Sequence, residues 1–420
     1  MRSDYRVLMV MPDAFHLGWL GATRRLFHLA GAFRELGFAV ALLAGKITNV
    51  RVQAQIDRQF PGVVLRSGHT GAYPRLIDVT PISRRAWRAL WKVRGLEYYM
   101  SRLSYGWAEA VDVNRVMKEL EQRFGRPNLI WGVCTGYLAG GKAADRLAKL
   151  LGVPWVFELQ DPPWGCGLGP GRETVRAEFK RLLESATKLV VVTESYRRKL
   201  LTEFTLNSQA LQTIYLTYDC EPISDSNIRH DEKWRVVYTG SLDGGRTLTP
   251  LFQGVHKALS IKPQLSSSIG IEIAGKGSGL NEARRVSKVL GLQQLVRFHG
   301  YLACNEAGSL SKKADALVVM QTADTSMYQI PGKIFEYVSY GKPILAIMPP
   351  ECEAADILRR SGLGFIHHAE DIDGIADTLI RLWSDWRAGA ASVQVDRDFV
   401  SQFSVRNLPE KLRSVLEGLV

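Results

Sequence analysis

Lys333 and Glu336 stand three residues apart in the stretch IPGKIFEYVSYGKPILA, residues 330–346, and their types could bind a ligand together. Pro331 favours the start of a helix and Gly341 favours its end, so we expect both charges to be accessible in the first helical turn. A carboxylate can bind a vicinal diol through two hydrogen bonds, and a lysine can neutralise a phosphate. A charged pair at a helix start therefore predicts a site for an anionic or hydroxyl-rich ligand. The alternative is a surface ion pair that contributes roughly 0.2–0.5 kcal/mol.

Two glycine-rich loops each follow a predicted strand and precede a predicted helix. The loop in VVYTGSLDGGRTL carries Gly240, Gly245 and Arg246, and the loop in IEIAGKGSGL carries Gly275 and Gly277. Glycine lets backbone N–H groups approach an anion closely, and a helix start favours negative charge. Both loops therefore predict phosphate binding, with an ordinary turn as the alternative. Neither is a P-loop, and no GxGxxG fingerprint follows the first strand, which disfavours nicotinamide and flavin enzymes.

These loops need strands to position them, and the chain offers two series of apolar runs that alternate with helical patterns. The first series predicts a parallel sheet covered on both faces within residues 1–217, and the second predicts another within residues 218–402. The polar segment 219–233 is the predicted linker. The predicted fold class is α/β, with two Rossmann-like doubly wound domains facing a cleft and ligands at the carboxyl ends of the strands.

Composition and charge narrow the class of protein. The 420 residues are 46% hydrophobic and 23% charged, as expected of folded domains with substantial cores. The net charge of +12 lies in the N-terminal half, because residues 1–217 hold 31 Lys and Arg against 18 Asp and Glu, whereas residues 218–420 hold 23 against 24. This asymmetry predicts an anionic partner for the first half. No apolar run reaches the ~18 residues of a spanning helix, so we expect a cytoplasmic protein.

Four motifs in order, YTGSLDGGRTLTPL, IAGKGSGL, VRFHGYL and IPGKIFEYVSYGKPILA, resemble the donor half of family 4 retaining glycosyltransferases of the GT-B fold. The resemblance implies transfer of a sugar from a nucleotide-diphosphate-sugar donor with retention of configuration. It implies that Glu336 binds the ribose hydroxyls of the donor, while Arg246 and Lys333 bind its diphosphate. We therefore expect these two cations to be catalytic on the donor side.

The donor site implied by this resemblance departs from the family at one position. Many members carry a glutamate eight residues before the second one, whereas this chain has Tyr328 there. The predicted diphosphate site offers no DxD-like carboxylate pair, so we expect metal-independent transfer without a cofactor. The predicted donor-binding residues are Gly240, Gly245, Arg246, Gly275, Gly277, Tyr328, Lys333 and Glu336.

In the N-terminal half, PWVFELQDPPW resembles a strand and loop of bacterial members that build surface polysaccharides on polyprenyl diphosphate carriers. The resemblance implies a glycan or a polyprenyl-diphosphate-linked glycan as acceptor. Asp161 follows the strand directly and is the predicted catalytic group that orients or deprotonates the acceptor hydroxyl, with turn capping as the alternative. The predicted acceptor and phosphate-loop residues are Glu158 in this strand and His16, Gly18 and Gly21 after the first strand.

Residues 83–107 combine six basic side chains and three tryptophans with a single acidic residue, Glu97. A basic amphipathic helix with interfacial tryptophans can lie on an anionic membrane, which predicts a peripheral position on the inner face of the cell membrane. The alternative is an ordinary helix that packs against the N-terminal sheet.

Two other functions are alternatives to sugar transfer. A GT-B sugar-nucleotide epimerase would need carboxylates and histidines to move a proton, and the motifs show no such set. A basic nucleic-acid-binding protein fits the charge, but no nucleic-acid-binding motif is present, so no nucleic-acid partner is expected.

By family analogy, the last helix, within residues 403–420, packs back on the N-terminal domain.

Overall fold

The computed structural model of the chain divides into two compact units. Unit 1 comprises Met1–Tyr215 and Val405–Val420, and unit 2 comprises Leu216–Ser404. The described residues are 5–12, 21–46, 54, 57–69, 111–136, 138–163, 172–219, 233–243 and 245–419.

The inner strands of unit 1, those with a neighbour on each side, are nearly continuous apolar runs, as expected where a parallel sheet is covered on both faces. The strands of unit 1 are β1 (Arg6–Val10), β2 (Ala39–Lys46), β3 (Val63–His69), β4 (Leu129–Thr135), β5 (Trp155–Asp161), β6 (Lys188–Val191) and β7 (Leu211–Thr213). They form one seven-stranded sheet in the order β3-β2-β1-β4-β5-β6-β7. Within the described residues, the helices between them are α1 (Gly21–Glu35), α2 (Val113–Arg123), α3 (Ala139–Leu151), α4 (Arg172–Ser185) and α5 (Glu194–Glu203).

Unit 2 repeats this architecture with a six-stranded parallel sheet. Its strands are β8 (Trp234–Ser241), β9 (Ile269–Lys276), β10 (Val296–Gly300), β11 (Ala316–Met320), β12 (Ile344–Ile347) and β13 (Gly364–His367), in the order β10-β9-β8-β11-β12-β13. Its helices are α6 (Thr249–Ile261), α7 (Gly279–Val289), α8 (Cys304–Lys312), α9 (Ala323–Ser326), α10 (Lys333–Ser339), α11 (Glu353–Arg360), α12 (Ile372–Ala388) and α13 (Arg397–Ser401).

The last helix, α14 (Leu408–Leu416), belongs to unit 1 because its apolar face joins the core of that unit. Leu408, Leu412 and Val415 are fully buried and share one hydrophobic cluster with Leu26 and Leu29 of α1. The hydrophobic contact therefore fixes α14 to the face of the unit 1 sheet that α1 covers.

The predicted α/β class with two doubly wound parallel sheets is confirmed. Two strands, β3 and β13, are not predicted by the apolar runs, and both lie at a sheet edge. β3 includes Arg66 and Gly68, and β13 has four residues that are all half-buried. An edge strand has one neighbour and one open side, so a short or polar sequence suffices to form it.

The part of the chain that the structure describes contains no helix that is both long and apolar enough to span a bilayer. Its cysteines are Cys134 and Cys352, which are buried, and Cys304, which is exposed. None of these three is in a disulfide bond.

Candidate functional site

Helix α10 places Lys333 and Glu336 one turn apart on the same side of the helix. Lys333 Nζ lies 3.0 Å from Glu336 Oε2, so the two side chains form an ion pair. The expectation of an accessible carboxylate is wrong, because Glu336 is only 6% exposed. Its burial also disfavours the alternative of a surface ion pair, since a buried carboxylate must be compensated by partners.

Tyr340, one turn after Glu336, contacts the other carboxylate oxygen. Its hydroxyl donates to Glu336 Oε1 at 2.7 Å. Helix α8 passes beside this contact, because a methyl group at Gly308 would lie 3.7 Å from Glu336 Oε1 and 3.8 Å from the Tyr340 hydroxyl. Lys333 thus contacts one carboxylate oxygen of Glu336, and Tyr340 contacts the other.

Tyr337 connects α10 to the carboxyl end of β8. Its hydroxyl accepts a hydrogen bond from the Thr239 backbone N–H at 3.1 Å and lies 2.9 Å from Thr239 Oγ1. Thr239 Oγ1 is also 3.3 Å from Ser311 Oγ of α8. Burial raises the pKa of Tyr337, so its phenol stays protonated and keeps this network intact. The network connects α10 to the carboxyl end of β8 and to α8.

The second glycine loop, residues 275–279, packs closely on the first, residues 240–246. Gly275 lies opposite Gly240 in the paired strands, and a Cβ at Gly275 would sit 1.9 Å from the Gly240 carbonyl oxygen. Gly277 has φ +131°, and a Cβ there would sit 2.6 Å from the Leu242 carbonyl carbon. Both glycines are therefore required by the contact between the loops.

The amides of the second glycine loop are used by the same contact. Ser278 N–H donates to Asp243 Oδ1 at 2.9 Å, and Gly279 N–H donates to the Leu242 carbonyl oxygen at 3.0 Å. A carboxylate of the protein thus occupies the start of α7, where a helix favours negative charge. This arrangement disfavours the predicted phosphate-cradle role for Gly275 and Gly277.

Arg246 follows the first glycine loop with a half-buried side chain. Its Nη1 donates to the Asp243 carbonyl oxygen at 3.3 Å, and no carboxylate among the described residues forms an ion pair with it. Burial raises the pKa of nearby Tyr238, and the positive charge of Arg246 opposes that rise. Gly245, directly before it, has φ +80°, which suits the turn that directs the chain into α6.

Tyr328 lies in the segment between α9 and α10. It is half-buried, and its backbone N–H donates to the Thr325 carbonyl oxygen at 3.4 Å. The next residue, Gln329, accepts a hydrogen bond from Gln321 Nε2 at 2.5 Å through its carbonyl oxygen. These bonds join the segment to the carboxyl end of β11, so Tyr328 reaches the same end of the unit 2 sheet as α10 does.

Glu158 lies in the interior of unit 1 and is fully buried. Its Oε1 accepts from Arg25 Nε at 3.1 Å and from Gln160 Nε2 at 3.0 Å, while its Oε2 accepts from Trp131 Nε1 at 2.7 Å. The Arg25 guanidinium also donates to the Tyr215 carbonyl oxygen at 3.0 Å. This network ties α1 to the sheet and disfavours the predicted contact between Glu158 and an acceptor.

The remaining predicted acceptor residues have varied placements. Asp161 ends β5 with a half-buried side chain, and its carbonyl oxygen accepts from Cys134 Sγ at 3.7 Å. Gly21 is the exposed first residue of α1. His16, Gly18 and the basic segment 83–107 lie outside the described residues.

The sequence does not single out several residues in these contacts, among them Tyr340, Arg25 and Asp243. Tyr340 stands four residues after Glu336, and helical neighbours at this spacing share a face, so the pattern contained that signal. Arg25 and Asp243 had no such signal, because their partners lie far away in the sequence. Across the described ranges, no group of three His, Cys, Asp or Glu side chains is placed to hold a metal ion.

Two doubly wound parallel sheets, of seven and six strands, define the GT-B class of α/β proteins. Residues 234–385 match the family described as Glycosyl transferases group 1, so the match runs from β8 into α12 and includes Arg246, Lys333 and Glu336. The fold and this match together make the protein a glycosyltransferase, an enzyme that transfers a sugar.

Solved structures with this fold include enzymes of two kinds. A glycosyltransferase from Rickettsia africae ESF-5 is 12% identical with a TM-score of 0.65 over 98% of each chain. The pneumococcal O-GlcNAc transferase GtfA, in complex with UDP and GlcNAc, is 10% identical with a TM-score of 0.61 over 99% of each chain. The UDP-GlcNAc 2-epimerase from Neisseria meningitidis is 12% identical with a TM-score of 0.57, covering 98% of this chain and 99% of that one. No curated protein matches the sequence significantly.

Proposed function

We propose that the protein transfers a sugar from a nucleotide-diphosphate-sugar to a hydroxyl of a glycan or lipid-linked glycan, with retention of configuration as in family 4. The observation that carries the proposal is the buried Glu336 carboxylate, held by Lys333 and Tyr340 inside the segment that matches the glycosyltransferase family. Unit 2 is the donor-binding unit in this proposal.

The proposed role of Glu336 is to accept hydrogen bonds from the two ribose hydroxyls of the donor. A carboxylate offers about four lone-pair positions, so it can retain its protein partners and still accept from a diol. Because Glu336 is fixed before the donor arrives, little rotational freedom is lost on binding. UDP in the pneumococcal GtfA structure is consistent with a nucleoside diphosphate as the leaving group.

Arg246 and Lys333 are the proposed groups that stabilise the departing diphosphate. Negative charge develops on this leaving group during transfer, so preorganised positive charge lowers the barrier. The amides of Ser278 and Gly279 at the start of α7 already bond to Asp243 and Leu242, so the proposal assigns this role to the two side-chain cations. We propose that transfer is metal-independent for this reason.

On the acceptor side, we propose that Asp161 orients or deprotonates the acceptor hydroxyl. Its support is positional, because it is the last residue of β5 and ligands of doubly wound sheets bind at the carboxyl ends of strands. A polyprenyl-diphosphate-linked acceptor is the class that the N-terminal motif favours, and it fits the positive charge of that half.

The experiment that tests the function begins with thermal melting of the purified protein in UDP, GDP, ADP and dTDP. A ligand at 100 times its dissociation constant should add about 2.7 kcal/mol to the free energy of unfolding, and the stabilising nucleotide identifies the donor class. Transfer from the matching nucleotide sugars to lipid-linked glycans is then measured, and NMR of the product assigns its anomeric configuration. Absence of stabilisation by all four nucleotides would contradict the proposal.

A sugar-nucleotide epimerase is the second candidate, because the Neisseria meningitidis epimerase shares the fold. Epimerisation at C2 exchanges the C2 proton with solvent, whereas glycosyl transfer does not. Incubation of the stabilising nucleotide sugar in D₂O, once with and once without acceptor, separates the two. Deuterium at C2 would favour the epimerase, and release of free nucleotide that depends on the acceptor would favour the transferase.

A further inference from the structure

We propose that Tyr340 is a positioning residue that holds the Glu336 carboxylate in the orientation that binds the ribose diol. The inference rests on the proposed function and extends it to a residue outside the donor motif's charged pair. Tyr340 is not expected to touch the donor, because it is 3% exposed and acts through its hydrogen bond to Glu336.

The two contacts on Glu336 are on different oxygens. Tyr340 donates to Oε1 at 2.7 Å, and Lys333 Nζ lies 3.0 Å from Oε2. The terminal torsion of a glutamate is otherwise broad, so one contact alone would still permit rotation of the carboxylate about its axis. Two contacts on separate oxygens restrict that rotation and fix the direction in which further lone pairs point.

Tyr340 is itself held in place. Its ring centroid lies 6.4 Å from that of Tyr337, and Lys312 Nζ lies 5.9 Å from its ring centroid. It is the last residue before Gly341, which has φ +64° and ends the helix. Its hydroxyl is therefore presented to Glu336 by packing and by the backbone together, which is what a positioning group needs.

Tyr337 provides a matched control within the same helix. It is also a buried tyrosine, but its hydroxyl contacts Thr239. Tyr337→Phe and Tyr340→Phe therefore remove the same atom from two neighbouring rings, and only the second change removes a contact to Glu336. A general effect of losing a buried hydroxyl should appear in both variants.

The test measures how strongly the protein prefers a ribose to a 2′-deoxyribose. Calorimetry gives the dissociation constants of UDP, GDP and ADP and of their 2′-deoxy counterparts for the parent and for each variant. We expect the parent to bind one ribonucleotide more tightly than its 2′-deoxy counterpart. Tyr340→Phe should reduce this ratio of dissociation constants about tenfold, and Tyr337→Phe should retain it. In a Glu336→Gln background, Tyr340→Phe should cause no further reduction, because the tyrosine acts through the carboxylate.

Tyr340→Met is the second variant, used if Tyr340→Phe does not fold, and it should give the same reduction. An unchanged ribose preference in a folded Tyr340 variant would overturn the inference and leave the donor site intact. An equal loss in Tyr337→Phe would also overturn it, since the effect would then be structural. If the parent binds none of the six nucleotides, the proposed ribose contact of Glu336 fails, and the role of Tyr340 fails with it.

Discussion

The Glu336 carboxylate is part of the interior of unit 2, so truncation and neutralisation of this residue are different experiments. Glu336→Ala would leave the Tyr340 hydroxyl and the Lys333 ammonium without this acceptor and would create a cavity. Both effects lower the free energy of unfolding, typically by more than about 1 kcal/mol. A lower melting point in that variant would therefore say nothing about ligand binding.

The first prediction uses Glu336→Gln, which keeps the volume of the side chain and removes its charge. The amide has one acceptor oxygen, so it cannot bind a diol while it also bonds to Lys333 and Tyr340. We expect the dissociation constant of the stabilising nucleotide to rise at least about tenfold, as for loss of hydrogen bonds to a charged group. Calorimetric titration with that nucleotide measures the change.

Glu272→Gln is the control for this change, because Glu272 is a half-buried carboxylate of the same unit that pairs with His299. It should leave nucleotide affinity within about twofold of the parent. Wild-type affinity in Glu336→Gln would remove the carboxylate from the donor site.

At the scale of elements, the second prediction concerns the contact between the two glycine loops. Gly275→Ala would place a methyl group 1.9 Å from the Gly240 carbonyl oxygen, so β8 and β9 would have to separate at their carboxyl ends. We expect the free energy of unfolding to fall by about 1–3 kcal/mol, and nucleotide-induced stabilisation to weaken because Arg246 follows the displaced loop. Urea denaturation with and without nucleotide measures both effects.

Gly270→Ala is the matched control on the same strand. The nearest atom to a methyl group there is Lys233 Cδ at 4.0 Å, so this variant should fold with nearly the stability of the parent. If Gly275→Ala were as stable as Gly270→Ala, the close approach of the two loops would not exist in solution.

These loops also show what the sequence could predict. The apolar runs of β8 and β9 and the glycines after them predict strand, turn and helix, and the structure has each of them. The role of the glycines is not predictable from the sequence, because it depends on the close approach of Gly275 to the Gly240 carbonyl oxygen across two paired strands. Likewise, nothing near Glu158 indicates Arg25, whose guanidinium arrives from 133 residues away. Local patterns predict elements, whereas tertiary contacts decide which polar groups bond within the protein.

At the scale of the whole molecule, the charge is divided between the two parts of the chain. The excess of basic residues lies in residues 1–217, while the segment that matches the glycosyltransferase family lies in residues 234–385. A lipid-linked acceptor at an anionic membrane would interact with the first part through this charge.

The third prediction tests that idea with the tryptophans of residues 83–107. Replacing Trp87, Trp91 and Trp107 together with serine should reduce sedimentation with anionic vesicles severalfold, because interfacial tryptophans anchor a basic helix. Vesicles of phosphatidylcholine alone are the control and should bind the parent weakly. A triple variant that fails to fold would place these tryptophans in the core, and unchanged sedimentation of a folded variant would exclude them from the membrane contact.

The last prediction concerns the source of positive charge for the reaction as a whole. Transfer should persist in excess EDTA and should fall steeply in Arg246→Ala or Lys333→Ala. The leaving diphosphate must be stabilised either by a divalent ion or by fixed side chains and helix starts. Arg246 carries a half-buried cation after the first glycine loop, and Lys333 carries one in the first turn of α10, whereas the start of α7 already holds Asp243. Removal of one preorganised cation should cost on the order of 3 kcal/mol in the barrier, roughly a hundredfold in rate.

The measurement is the initial rate with the identified donor. It is made with and without chelator in the parent and in both variants. Lys276→Ala is the control, since Lys276 is an exposed cation of the second glycine loop whose ammonium lies 5.0 Å from the Tyr301 ring centroid. If the loss of rate reflects charge at the diphosphate, Arg246→Lys should retain part of the activity that Arg246→Ala loses. A lysine restores the positive charge but lacks the paired N–H donors of the guanidinium. Activity that disappears in EDTA and returns with magnesium or manganese would replace the side-chain mechanism with a metal-dependent one. Rates within threefold of the parent in both alanine variants would remove these cations from the reaction.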